Sequence, residues 1–239
     1  MAPSSVDAVI TDPPYCSGGW NEATKGTATH QGLRSQSVQS GRVVWFDGDN
    51  MGTAGLVWLL RQVAVEAFRV LHEAGSLLVF CDWRMAVTLA PALESAGFRF
   101  RNLIVWDKGN AGLGSGFRAR HELILHLTMR APVFHAADVG NVIPVPRVTS
   151  SDRDHPTEKP ISLLRTLVRV VCPSNGIVVD PFCGSGTTGE AALAEGRRFH
   201  GIERAEEYAE IARERLKAAE RQIPLPFPEP QNVPLPLVV

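Results

Sequence analysis

Three short stretches of this 239-residue chain, "VDAVI" (6–10), "SLLVFC" (76–81) and "GIVVD" (176–180), are apolar almost without interruption. Runs that short and that apolar suit strands buried on both faces, and such strands need helices above and below them. The segments between them supply those helices. "GLVWLLRQVAVEAFRVLHEAG" (55–75) has helical spacing and a terminal glycine, which predicts one helix running to Gly75. "MAVTLAPALESAG" (85–97) reads as a second helix, kinked or shortened by Pro91. "ISLLRTLVRVV" (161–171), "TTGEAALAEG" (187–196) and "AEEYAEIARERLKAAERQ" (205–222) are three more. "FRFRNLIVW" (98–106), "HELILHLT" (121–128) and "RRFHGIE" (197–203) complete the strands. Strands alternating with helices predict an α/β, Rossmann-like fold with a mostly parallel sheet covered on both faces. In such sheets ligands sit beyond the carboxyl ends of the strands.

The length predicts one catalytic domain over residues 1–222 and a proline-rich tail over 223–239, which holds six of the 17 prolines. Two segments lack any hydrophobic period. Cys16 to Arg42 reads as a long mobile loop, and Arg130 to Asp154 as an irregular connection. A net charge of −1 excludes a global attraction to polyanions. Charge is uneven, however: from Gly97 to Arg130 six cations face only Asp107 and Glu122. That stretch is either a solvated face or a phosphate-facing one. The four cysteines are far apart and form no C-x-x-C pair, which suits a reducing compartment. With no membrane-length apolar segment and no signal sequence, a cytoplasmic protein is expected.

Two loops following apolar strands concentrate the chemistry. In "TDPPYCSGG" (11–19) a strand meets two prolines, which donate no N–H and restrict their neighbours to extended backbone. Asp12 and Tyr15 are thereby presented beside a stiff turn. In "VVDPFCGSGTTGEAALAEGRRFHGIE" (178–203) Gly184 and Gly186 allow a tight strand-to-helix bend. The helix that follows aims its N–H groups at a bound ligand, and Glu203 on the next strand is placed to accept from two ribose hydroxyls. Gly184, Gly186 and Gly189 also satisfy G-x-G-x-x-G, with an acid 19 residues after Gly184, so a nicotinamide enzyme stays open on this motif alone. A phosphate-binding loop is excluded, because Glu190 stands where lysine is needed. His121 and His126 in "HELILH" miss the zinc spacing by one residue; they read as histidines packed near the surface, and no metal is expected.

Taken together, "TDPPY", "WDKGNAGLGSGFRARHELIL" (106–125), "HPTEKP" (155–160) and "DPFCGSGTT" (180–188) resemble the β class of DNA amino-methyltransferases over roughly residues 5–215. The resemblance implies a methyltransferase fold in permuted motif order, with S-adenosylmethionine as cofactor. It implies that Asp180, Phe182, Gly184, Gly186 and Thr187 line the cofactor, that Glu203 holds its ribose, and that Lys159 lies near its methionine end. It makes Asp12, Pro13, Pro14 and Tyr15 the catalytic motif. The physics of that motif stands independently. An exocyclic amine conjugated to a nucleobase is a poor nucleophile; Asp12 and the Pro13 carbonyl can each accept one of its N–H bonds and free the lone pair. Tyr15 offers a stacking face for a base that must leave the duplex to arrive there. The resemblance further implies adenine N6 as the target, since related cytosine enzymes often carry serine where this chain has Asp12, with cytosine N4 as the alternative.

The chain also departs from that family. Relatives usually carry a further strand before the segment matching Val6, so weak cofactor binding, or a tail that covers the gap, is expected. The 130–154 recognition segment is short, which implies relaxed sequence discrimination or a homodimer or second subunit that supplies it. Lys25, Arg34 and Arg42 in the loop, and Arg118, Arg120, Arg147 and Arg153 elsewhere, are candidate contacts to double-stranded DNA. Two rival readings remain: a truncated DNA-binding relative without turnover, and a nicotinamide oxidoreductase that leaves "DPPY" unexplained. No membrane association is expected.

Overall fold

The computed structural model describes residues 1–15, 52–111, 116–147 and 159–222. A seven-stranded sheet forms the centre: β1 (Val6–Thr11), β2 (Leu71–Cys81), β3 (Arg99–Asp107), β4 (His121–Thr128), β5 (Val142–Pro144), β6 (Ile177–Asp180) and β7 (Arg198–Gly201), in spatial order β5-β3-β4-β2-β1-β6-β7. The pairs β1–β2, β1–β6, β6–β7 and β3–β5 are parallel, while β4 runs antiparallel to both β2 and β3. Among the described residues five helices accompany the strands: α1 (Thr53–Val70), α2 (Trp83–Glu94), α3 (Ile161–Val171), α4 (Thr187–Ala194) and α5 (Glu206–Gln222).

The period-two alternation of the strands explains the layering. Val9, Leu77, Val79, Leu125 and Val179 point to one face, where Leu56, Leu60 and Ala64 of α1 and Met85, Leu89 and Leu93 of α2 meet them. Ala8, Ile10, Leu78, Phe80, Ile124 and Val178 point to the other, against Leu163, Leu167 and Val168 of α3 and Ala191 and Ala192 of α4. Each buried leucine or phenylalanine contributes about 1.5–3 kcal/mol. Both faces of β1 and β2 are covered, as their unbroken apolar runs require.

Three local expectations are corrected. The first helix ends at Val70, not Gly75, because Leu71 already lies extended beside Val6. The register then slips: Val6 pairs with Leu71, but Ala8 pairs with Ser76. Gly75 serves that irregularity, since a Cβ there would lie 3.0 Å from the His72 carbonyl oxygen and 3.1 Å from that of Asp7. The second helix starts earlier than its apolar period suggests. The Asp82 carboxylate accepts from the backbone N–H groups of Arg84 and Met85, which sets Trp83 as the first helical residue, and Pro91 is accommodated inside the helix. The connection after Arg130 is not wholly irregular, since β5 adds a three-residue edge strand beside Val105–Asp107. Two histidines differ as well: His126 is buried against Ser76, whereas His121 is half-buried. The predicted 16–42 loop, most of the end of the recognition segment and the proline-rich tail lie outside the described residues.

Candidate active site

β1 and β6 are adjacent and parallel, so the chain leaves both at the same end of the sheet. The two Asp-Pro loops therefore begin side by side. Thr11, the last residue of β1, donates its hydroxyl to Asp180 Oδ1 at 2.7 Å, joining them directly. β3 ends at this edge too, and the antiparallel β4 starts there, bringing Lys108 and Glu122 to the same crevice. Lys159, immediately before α3, reaches in from the far side of the chain.

Around the first loop these residues form an alternating charge chain. Lys159 Nζ donates to Asp12 Oδ2 at 2.6 Å and lies 3.2 Å from Glu122 Oε2. Lys108 pairs with the other oxygen of Glu122. The Tyr15 hydroxyl donates to Asp12 Oδ1 at 2.8 Å and lies 3.4 Å from Glu122 Oε2. Lys159 is 8% exposed and Asp12 27%, so the acid borders solvent while its cationic partner does not. Burial alone would depress the Lys159 ammonium, but the Asp12 and Glu122 carboxylates outweigh it and raise the group. Burial likewise works to raise Glu122, and the two lysines overcome it and hold the carboxyl below its ordinary range. Burial, with Asp12 and Glu122, pushes the Tyr15 hydroxyl well up, so it remains a donor. Lys159 Nζ also sits 5.3 Å from the centre of the Tyr15 ring and 5.2 Å from that of Phe80, a cation held against two aromatic faces. Among the described residues no donor reaches the Pro13 carbonyl.

The second loop is held differently. Asp180 is 2% exposed, and its oxygens accept from the hydroxyls of Thr11 and Thr188 and from the Phe182 N–H. Burial raises its carboxyl to about 6, even against those three hydrogen bonds. Gly184 and Gly186 turn with φ of +53° and +86°. A Cβ on Gly186 would press within 3.0 Å of Ala212, whereas one on Gly184 would meet nothing within 4 Å. Open space beside Gly184 is what a ligand approaching the backbone needs. Glu203 Oε2 accepts from the Gly184 N–H at 2.9 Å and Oε1 from Ala205 at 2.8 Å. Each oxygen keeps a further lone pair for a hydroxyl donor. Thr187 is buried at the start of α4, its hydroxyl accepting from Arg215.

A family model for DNA methylases of the N6/N4 type matches residues 6–139 and 135–214, nearly the whole described length. The chain belongs to that DNA methylase family. It is 31% identical over 218 residues to the methylase YubD of Escherichia coli (strain K12), covering 91% of this chain and 85% of that one. It is 28% identical over 243 residues to the type II methyltransferase M2.DpnII of Streptococcus pneumoniae, with the same coverage. In fold it is similar to the crystal structure of the M1.HpyAVI–SAM complex, with a TM-score of 0.64, 24% identity and 89% of each chain covered. It is also similar to the cytosine-N4-specific PvuII DNA methyltransferase, with a TM-score of 0.67, 17% identity, and 90% of this chain and 80% of that chain covered. The architecture is the α/β methyltransferase fold, with the Asp12 turn preceding the glycine bend in this DNA methylase.

The residues singled out from sequence fall into three groups. Asp12, Pro13, Pro14, Tyr15 and Lys159 gather at the end of β1; Asp180, Phe182, Gly184 and Glu203 gather at the bend after β6, while Gly186 and Thr187 turn toward α5, against Ala212 and Arg215. Arg118 and Arg120 lie exposed on the β3–β4 connection, just before the strand that carries Glu122; Arg120 is already paired with Asp107 at 2.6 Å, and Arg147 is exposed after β5. Lys25, Arg34, Arg42 and Arg153 lie outside the described residues. Sequence reasoning passed over Lys108, Glu122, Thr11 and Thr188. For Glu122 a signal existed: no helix separates "FRFRNLIVW" from "HELILHLT", so the second strand had to return antiparallel and begin at the crevice. Among the described residues no group of His, Cys, Asp or Glu could hold a metal, and no helix is long and apolar enough to cross a membrane.

Proposed function

We propose that this DNA methylase transfers a methyl group to the exocyclic N6 of adenine in double-stranded DNA, within the DNA amino-methyltransferase activity of its family. Its cofactor is S-adenosylmethionine, which supplies an electrophilic methyl on a sulfonium and needs no metal to activate it. Gly184, Gly186 and Glu203 suit that cofactor through an open backbone bend and a carboxylate with spare lone pairs for a ribose.

The observation that carries the reading is the partly exposed Asp12 carboxylate beside the Pro13 carbonyl, which no donor among the described residues reaches, next to the bend that Thr11 ties to Asp180. Asp12 and the Pro13 carbonyl each accept one N–H of the target amine, so its lone pair turns toward the methyl. Tyr15 supplies the aromatic plane for the extruded base. Phe182 packs beside the bend and keeps water from that side. Lys159 stays charged and orients Asp12. Arg118 and Arg147, with Lys25, Arg34, Arg42 and Arg153, are the cations offered to phosphates, and residues 130–154 to sequence recognition.

Aspartate at position 12 favours adenine over cytosine N4. The test is transfer of a tritiated methyl group to DNA free of modified bases, followed by chromatography of the nucleosides. Label in N6-methyladenine is expected; label in N4-methylcytosine would replace the adenine reading, and no label would leave a DNA-binding relative without turnover. Binding to DNA should weaken steeply with salt, each phosphate contact removed by Arg118→Ala or Arg147→Ala lowering the logarithmic slope by about 1. Light scattering on the DNA complex would show whether a second copy takes part in recognition.

A further inference from the structure

Both oxygens of Asp12 are already engaged in this arrangement. Its Oδ1 accepts from Tyr15 and its Oδ2 from Lys159, at 2.8 and 2.6 Å. Each oxygen keeps a further lone pair, but the grip on an incoming amine is strongest when one of those donors leaves. A carboxylate already shared by an ammonium and a phenol is a weaker acceptor for a third donor. Lys159 is nearly enclosed, and leaving its ammonium without a partner inside the protein is strongly unfavourable. The same second acceptor serves both donors: Glu122 Oε2 lies 3.2 Å from Lys159 Nζ and 3.4 Å from the Tyr15 hydroxyl. Both distances are longer than a charge-assisted hydrogen bond, so a shift of about 0.3 Å for the lysine, or about 0.7 Å for the tyrosine, converts either into a full one. The other oxygen of Glu122 is occupied by Lys108, which holds the carboxylate in place and leaves Oε2 for the exchange. Trp106 backs that lysine, its ring centre 4.8 Å from Lys108 Nζ.

We infer that Glu122 is a positioning residue for methyl transfer: it receives the hydrogen bonds of Lys159 and Tyr15 when the target amine takes their place on Asp12. No covalent bond or proton changes owner in the exchange; two donors change acceptors and the buried ammonium stays paired throughout. The β3–β4 connection gains a role from this, because the strand that follows its exposed arginines carries as its second residue the one that releases the catalytic acid. The inference rests on the methyl-transfer reading, though not on which base is methylated.

The experiment compares wild type with Glu122→Gln and Glu122→Asp in single-turnover transfer of tritiated methyl to total DNA. Cofactor and DNA affinities and melting temperature are measured on the same preparations. Glutamine keeps the shape and removes the negative charge that attracts Lys159 away from Asp12. Its transfer rate should fall about 30- to 100-fold while both dissociation constants stay within about threefold. Aspartate restores the charge but draws the oxygen back by one methylene, and should recover about one third to one tenth of the wild-type rate. A transfer rate for Glu122→Gln equal to wild type overturns the proposal, as does a loss confined to the affinities. If Glu122→Gln fails to fold, Glu122→Asp decides alone: a reduced rate at unchanged affinity supports the exchange, and a wild-type rate overturns it. A wild-type protein that labels no DNA at all overturns the methyl-transfer reading and this proposal with it.

Discussion

Two Asp-Pro steps end neighbouring parallel strands in this protein, one after β1 and one after β6, and they are indistinguishable as dipeptides. Asp180 is turned inward. Its three hydrogen bonds come from β1, from α4 and from its own loop, so it fastens two elements to a strand end. Asp12 is turned toward the crevice, where its partners are side chains able to move: a lysine, a tyrosine and, behind both, Glu122. On the proposed function, the same residue type builds the frame in one place and offers itself to a substrate in the other. The difference lies in the partners. A carboxylate satisfied by buried hydroxyls and backbone is structure; one satisfied by groups with a second acceptor in reach can be released.

Substitution separates the two roles most sharply at the acids themselves. Asp12→Ala should lower the single-turnover transfer rate by about 1000-fold or more, yet shift the melting temperature by only about 3 °C, because Lys159 keeps Glu122 as partner. Asp180→Ala should do the reverse in kind. It orphans the Thr11 and Thr188 hydroxyls and the Phe182 N–H inside the protein, costing about 3–5 kcal/mol in a denaturant melt. If Asp12→Ala proved the more destabilising of the two, the contrast between frame and reactive group would be broken.

The glycines sharpen the same contrast within one loop. Gly186→Ala sets a Cβ against Ala212 at a left-handed φ, and should cost about 2–3 kcal/mol of stability. Gly184→Ala enters open space at a milder left-handed φ, so about 1 kcal/mol is expected, with a larger proportional loss in cofactor affinity by calorimetry.

A pH dependence at Asp180 probes the inward-turned acid by itself. Burial raises its carboxyl from the ordinary 3.8 to about 6. Between those values the folded protein holds a proton that the unfolded chain has released, so this group's contribution is full below about 4 and is lost as pH rises through about 6. Asp180→Asn has no such slope. Its melting temperature relative to wild type should therefore be higher at pH 7 than at pH 4, by the equivalent of about 2 kcal/mol. A pH-independent difference would show that the carboxyl is not held protonated by burial.

Much of this was legible in the chain itself. The unbroken apolar runs announced strands covered on both faces, and the loops after Thr11 and Asp180 stood out through proline and glycine chemistry that depends on a few adjacent residues. What escaped depended on register and direction. The end of α1 was hidden because Leu71–Gly75 continues its apolar spacing, while tertiary pairing with Val6 pulls Leu71 into the sheet. The roles of Glu122 and Lys108 follow from the reversal of β4, which no local period announces. The inward turn of Asp180 follows from Thr11 and Thr188, which lie 169 and 8 residues away from it along the chain.

The most direct test of the single-crevice account is a crystal structure of the protein with S-adenosylmethionine. The account predicts the ribose on Glu203 and the methyl carbon facing the Asp12–Pro13 edge, leaving room for an amine nitrogen about 3–3.5 Å from that carbon. A cofactor whose methyl points away from Asp12, or one bound with its ribose far from Glu203, would contradict it.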